Sequence, residues 1–121
     1  MTVLLDSVIL IDHLNGIKPA TLYLSSIDDA WISVITRAEV LSGKTHPGSE
    51  DATILLNLYP TLGIGQEVAD TATELRRKFG WRLPDAFQAA LAMLHNFKLA
   101  TRNTRDFPPK RHAFVVVPYT I

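Results

Sequence analysis

The chain has 121 residues, no cysteine, and twelve bases balanced by twelve acids. That length fits one domain with a single core, taken here as residues 1–121, and the absent thiols exclude disulfides, thiolate metal sites and cysteine nucleophiles. No apolar run approaches the roughly 18–20 residues of a membrane span, and no basic segment precedes a longer apolar one, so neither a membrane anchor nor a signal peptide is expected and a cytoplasmic location fits. The four histidines, His13, His46, His95 and His112, form no short-spaced ligand pattern, which argues against zinc. Charge is unevenly distributed. Residues 1–70 carry Lys18, Arg37 and Lys44 against nine acids, and residues 71–121 carry nine bases against Glu74, Asp85 and Asp106. Such asymmetry fits a polyanionic partner or self-assembly, and it equally fits two halves whose charges face solvent.

Residues 2–5 read as a short buried strand. Asp6 or Ser7 can cap a helix running to about Asn15, which Gly16 ends. Pro19 opens a second short helix towards Ser25. Ala30 to Val34 reads as the next strand, followed by a helix from Thr36 that Gly43 closes. A loop is expected at 46–49, a helix at 50–58, and a short strand at 61–64 that Gly63 and Gly65 weaken.

The clearest helix spans 66–79, where Val68, Ala72, Leu75 and Phe79 form one stripe. Arg76, Arg77 and Lys78 complement the dipole at its end. Pro84 opens another helix, with Ala86, Ala90, Met93 and Phe97 on one stripe and Phe87, Leu91 and Leu94 beside it. So broad an apolar face predicts a helix largely buried against a sheet. Lys98 to Thr101 is a strand, 102–112 a loop, and Phe114 to Val117 the last strand. Alternating strands and helices predict an α/β fold: a parallel sheet of four to five strands with helices on both faces.

In such folds ligands gather at the carboxyl ends of the strands. Asp6 follows the first strand, and Glu39 lies one turn into a helix that follows a strand. Asp85 sits in the first turn of a helix, and Asn103 and Asp106 follow the strand at 98–101. All can reach one edge of the sheet. Two carboxylates about 5 Å apart repel by roughly 3 kcal/mol at an effective dielectric of 20. A divalent cation relieves that repulsion, and oxygen ligands without His or Cys suit Mg²⁺ or Mn²⁺. Such an ion activates water against a phosphodiester. Each residue also has a structural role it can fill. Asp6 can be a helix cap. Thr36 and Glu39 have capping-box spacing. Asp85 can complement a dipole, and Asn103 and Asp106 can make turn hydrogen bonds. Their shared edge favours a site.

Leu5-Asp6-Ser7 with Ile11-Asp12, Ser33-Val-Ile-Thr-Arg-Ala-Glu39, Arg82-Leu-Pro-Asp85-Ala-Phe-Gln-Ala-Ala90 and Leu99-Ala-Thr101-Arg-Asn103-Thr-Arg-Asp106-Phe107 resemble, in order, the motifs of PIN domains. The likeness is to VapC-type toxins of type II toxin–antitoxin pairs, and it spans nearly the whole chain. It implies an endoribonuclease using Mg²⁺ or Mn²⁺. Asp6, Glu39 and Asp85 match the three core acids and metal ligands. Asn103 matches a fourth catalytic position that is Asp in many members, Thr101 would shape the site, and Ser7 matches a small hydroxyl residue beside the first acid. The resemblance further implies a homodimer and a VapB-like antitoxin partner. Arg76, Arg77, Arg82, Arg102 and Arg105 are candidates for RNA phosphate contacts. Trp81 is a surface candidate for base stacking, whereas Trp31, Tyr23 and Phe87 read as packing residues.

Other classes fit less well. A receiver domain needs an Asp after the third strand and a Lys after the last, and a haloacid-type phosphatase needs Asp-x-Asp where this chain has Asp6-Ser7-Val8. The rival from another class is a PIN-fold binding module without activity, which Asn103 favours and the three retained acids oppose.

Overall fold

The computed structural model describes residues 1–43 and 49–121. The loop expected at 46–49, with His46, falls almost wholly outside the described residues. In chain order the elements are β1 (Val3–Leu5), α1 (Ser7–Leu14), α2 (Lys18–Ser26), β2 (Ala30–Ser33), α3 (Val34–Ser42), α4 (Ser49–Leu56), β3 (Thr61–Leu62), α5 (Gln66–Phe79), α6 (Leu83–His95), β4 (Lys98–Ala100) and β5 (Val115–Val116). The strands form one parallel sheet in the order β3-β2-β1-β4-β5. Among the described residues no helix is long and apolar enough to cross a membrane.

The pleat sends alternate side chains to opposite faces, so each strand feeds two cores. Val3, Leu5, Ala30, Ile32 and Ala100 pack on one face with residues of α1, α3 and α4. Leu4, Leu62, Leu99 and Val115 pack on the other with residues of α5 and α6. Apolar residues on both faces are the signature of a sheet covered on both sides. The chain moves outward from β1 through β2 to β3 with its helices on one face, then returns to β4 through α5 and α6 on the other. Strand order therefore reverses between β1 and β4, and a crevice opens there at the carboxyl ends.

Local chemistry sets the helix ends. α1 is capped by the Asp6 side chain, which accepts from Ser7 N at 2.9 Å. It ends on Gly16 at φ 79°, where Gly16 N bonds to the His13 carbonyl and Ile17 N to the Asp12 carbonyl. That paired closure needs a left-handed residue, which glycine supplies without steric cost. α3 begins at Val34 rather than Thr36. Its cap is Ser33, whose Oγ accepts from Thr36 N at 3.0 Å, so the expected Thr36–Glu39 capping box does not form. The stripe on α5 packs as expected. On α6, Met93 and Leu94 are exposed rather than buried, because the helix end runs past the sheet face that covers Ala86 to Ala92. The strands at 61–64, 98–101 and 114–117 are each shorter than expected.

The C-terminal tail is tied back by a buried acid. Asp12 receives two bonds from Arg102, at 2.8 and 2.9 Å, and one from the Tyr119 hydroxyl at 2.8 Å. Burial alone would raise the Asp12 pKa, but the bonds from Arg102 and Tyr119 hold it below the ordinary value. A depressed carboxylate stabilises the fold above its unfolded pKa and loses that contribution as pH falls. Arg102→Ala should cost about 2 kcal/mol in urea unfolding at pH 7, discounted for the partial exposure of the guanidinium. The difference from wild type should shrink below about pH 4.

Candidate functional site at the reversal of strand order

Asp6 stands at the carboxyl end of β1 and is buried. Its backbone N–H still reaches the Ala100 carbonyl at 3.0 Å, so it sits where β1 and β4 part. Its carboxylate is held from several sides. Oδ2 accepts from the Thr101 hydroxyl at 2.7 Å. Oδ1 accepts from Ser7 N and, at 3.4 Å, from Gln88 Nε2.

Gln88 anchors a wider buried network. Its Nε2 donates to Thr36 Oγ1 at 2.7 Å, and its Oε1 accepts from Ser33 Oγ at 2.6 Å. The Thr36 hydroxyl donates in turn to the Leu5 carbonyl at 3.1 Å. One amide thus links α6 to α3, to the end of β2 and to Asp6. Sequence reasoning assigned Gln88 no role. The available signal was one amide in the apolar run Ala86-Phe-Gln-Ala-Ala-Leu91, three residues after Asp85 and on its face of the helix.

Glu39 and Asp85 face the same crevice. Burial raises the Glu39 pKa; the Ser7 hydroxyl bonds to it and pulls the other way, Asp6 adds to the rise and Arg82 opposes it. Asp85 is pushed up to about 6 by burial first and then by Asp6, with Arg82 opposing and Asp106 and Glu39 adding to the rise. Its Oδ2 is buried and accepts no hydrogen bond. The nearest cation, Arg82 Nε, stands 3.8 Å away, too far for a hydrogen bond. The three core acids therefore share one field, as the sequence led us to expect of them, and Asp106 joins it.

Asn103 is bound to that fourth acid. Its Nδ2 donates to Asp106 Oδ2 at 3.0 Å, its Oδ1 accepts from Asp106 N at 3.3 Å, and its own N–H reaches Thr101 Oγ1. Trp81 Nε1 holds the Asp106 carbonyl at 2.9 Å. Trp81 is 5% exposed, packed on Phe79, Phe107 and His112, so it offers no open face for stacking, contrary to the sequence expectation. Trp31, Tyr23 and Phe87 do pack against the core. Among the arginines, Arg82 and Arg105 rim the acidic cluster. Arg102 is committed to Asp12, Arg76 donates to the Trp81 carbonyl at 2.8 Å, and Arg77 is exposed on α5.

The donors in the crevice are hard oxygens, and one of them is a buried carboxylate oxygen that accepts no hydrogen bond. That chemistry fits Mg²⁺ or Mn²⁺ held by Asp6 and Asp85 with Glu39 beside them. Among the described residues no trio of acids or histidines is closed into a ready-made cage. Mg²⁺ does not require one, since it keeps several waters and takes only one or two carboxylates.

A doubly covered parallel sheet with a carboxylate cluster at its reversal point defines a small α/β domain with an acidic crevice. The PIN-domain family model matches residues 3–112, and the chain belongs to that family. A chain of a toxin–antitoxin complex from Klebsiella pneumoniae is 35% identical, with coverage of 99% of this chain and 100% of that one and a TM-score of 0.91. FitAcB from Neisseria gonorrhoeae matches at 24% identity, coverage of 99% and 100%, and a TM-score of 0.78. VapBC2 from Rickettsia felis, bound to a DNA fragment from their promoter, matches at 20% identity, 96% coverage of each chain and a TM-score of 0.73. The last two speak for the fold alone. No curated protein sequence matches significantly.

Two outcomes follow from this geometry. Gln88→Leu strips partners from the Ser33 and Thr36 hydroxyls in a buried network and should cost roughly 2 kcal/mol in urea unfolding. Asp85 has a raised pKa, so its favourable contribution is present below the unfolded value of 3.8 and is lost as pH rises through about 6. Without added metal, Asp85→Asn should therefore gain stability over wild type between about pH 4 and pH 6, by up to roughly 3 kcal/mol. A flat difference across that window in urea titrations would refute the assignment.

Proposed function

We propose that this protein is a divalent-metal-dependent endoribonuclease, the toxin component of a type II toxin–antitoxin pair. The observation that carries the reading is the cluster of Asp6, Glu39 and Asp85, in which the buried Asp85 Oδ2 accepts no hydrogen bond and has only Arg82, 3.8 Å away, to offset its charge. A divalent cation would relieve the repulsion among these acids more fully than Arg82 does. Family membership supports it, because the core acids of the motif all fall within the matched residues. The resemblance to a chain of the Klebsiella pneumoniae toxin–antitoxin complex supports the partner.

On this reading Asp6, Asp85 and Glu39 would hold Mg²⁺ or Mn²⁺, and the bound ion would supply an activated water and neutralise charge on the phosphate under attack. Thr101 and Gln88 fix the Asp6 carboxylate, so its geometry is set before substrate arrives. Ser7 orients Glu39. Asn103 holds Asp106 against the cluster, and Arg82 and Arg105 draw the phosphate towards an otherwise repulsive crevice. A VapB-like antitoxin would silence the protein by covering this crevice, and the active form would be a homodimer working in the cytoplasm.

The test is cleavage of a mixed RNA pool by purified protein with Mn²⁺ or Mg²⁺, alongside EDTA and Asp6→Asn. Cutting should depend on metal and fall at least ~100-fold in the variant, as when one group that holds transition-state charge is removed. Equal cutting by variant and wild type, or none by either, would replace this reading with that of a binding module.

A further inference from the structure

Two adjoining cavities lie beside the acidic cluster and share Gly80, Trp81, Arg105 and Asp106. The nearer, about 410 Å³, is also lined by Arg82, whose charge acts on both Asp85 and Glu39. The farther, about 220 Å³, adds Lys78, Arg111 and His112. Together the walls carry Lys78, Arg82, Arg105 and Arg111 against a single acid, Asp106. That acid belongs to the cluster, since its charge acts on Asp85. Moving outward, the lining thus turns from acidic to basic. Among the described residues Lys78, Arg105 and Arg111 form no ion pair.

The two outer cations rest on an aromatic pedestal. Phe79 stacks on Trp81 with ring centroids 4.5 Å apart. Lys78 Nζ and the Arg111 guanidinium lie 5.3 and 5.6 Å from the Phe79 centroid. Cations steadied in this way lose less freedom when they meet an anion. His112 packs edge-on against Phe79, and burial and Arg111 both lower its pKa. Trp81, 5% exposed, leaves no open face for a base.

We infer that these cavities form a subsite for the phosphodiester backbone of RNA, with Lys78 and Arg111 gripping a phosphate beyond the one at the acidic cluster. The inference rests on the ribonuclease reading and deepens it. Continuity with the cluster favours one strand running through both places. The contact is by charge rather than by stacking, so it is indifferent to base sequence.

The test is fluorescence anisotropy of a labelled ten-nucleotide single-stranded RNA in EDTA, where metal-dependent cutting is absent, at several salt concentrations. Both side chains are exposed, so Lys78→Ala/Arg111→Ala should fold as wild type does in a thermal melt. Its affinity should fall roughly tenfold at low salt, and its salt slope by about 1.4, as for two lost phosphate contacts on a single strand. Lys18→Ala, on α2 and outside both cavities, should leave affinity and slope unchanged. If the double alanine variant does not fold, Lys78→Arg/Arg111→Lys must keep the wild-type slope while Lys78→Ala alone loses about half of the 1.4. An unchanged slope in the alanine variants, or a poly-glutamate peptide that displaces the RNA as well as unlabelled RNA does, overturns the subsite. Metal-dependent cutting with an unchanged slope would sink the subsite and keep the nuclease. A reduced slope in a protein that never cuts RNA would do the reverse.

Discussion

The placement of the Asp6 carboxylate is the constraint on which the site depends. It lies at the end of β1, is the cap of α1, and accepts hydrogen bonds from Thr101 after β4 and Gln88 on α6. Gln88 in turn binds Ser33 at the end of β2 and Thr36 on α3. Those segments approach one another only because strand order reverses between β1 and β4. A buried polar network of this kind is favourable only when every member is satisfied. Here both amide hydrogens and the amide oxygen of Gln88 are used, so the network fixes the relative position of the elements around the crevice.

The fold tolerates an electrostatic cost at that crevice. Asp6, Glu39 and Asp106 all act on Asp85, where the penalty concentrates, and Asp6 also acts on Glu39. Its pKa near 6 reflects burial before it reflects neighbours. Asp12 shows the contrast. Asp12 is also shielded from water, yet Arg102 and Tyr119 satisfy it completely enough to depress its pKa. One carboxylate is thus a structural tie, and the other is left with an open oxygen. At Asp12 hydrogen bonds outweigh the effect of burial, whereas Asp85 has none at Oδ2 to do so.

Charge is arranged in the same sense. The acids at the crevice come from both halves of the chain, whereas the cations beside it come from α5, the start of α6 and the loop after β4. The crevice thus has an acidic centre drawn from both halves of the chain and a basic flank drawn from the second. The flank draws on Lys78 and Arg111 and makes no use of Arg102, because the tail-binding role of Asp12 had already claimed that guanidinium.

Much of this was legible from residues alone. The alternation of strands with helices predicted a doubly covered parallel sheet, helical stripes placed α5 and α6, and the positions of Asp6, Glu39 and Asp85 after strands or at helix starts pointed to one edge. Those features are local, because they depend on the period of the hydrophobic pattern and on capping chemistry. What local pattern could not decide was competition between partners. Ser33 rather than Thr36 caps α3 because it sits where β2 turns into the helix. Trp81 is buried because the loop carrying Phe107 and His112 folds over it. Gln88 lies among core alanines because Ser33 and Thr36, more than fifty residues earlier, supply its hydrogen bonds. The sequence by itself determined which elements form and which acids can share an edge. Only the tertiary structure decided which polar groups are satisfied and which oxygen is left without a hydrogen bond, because hydrogen-bond partners and burial are set by contacts between segments distant in the chain.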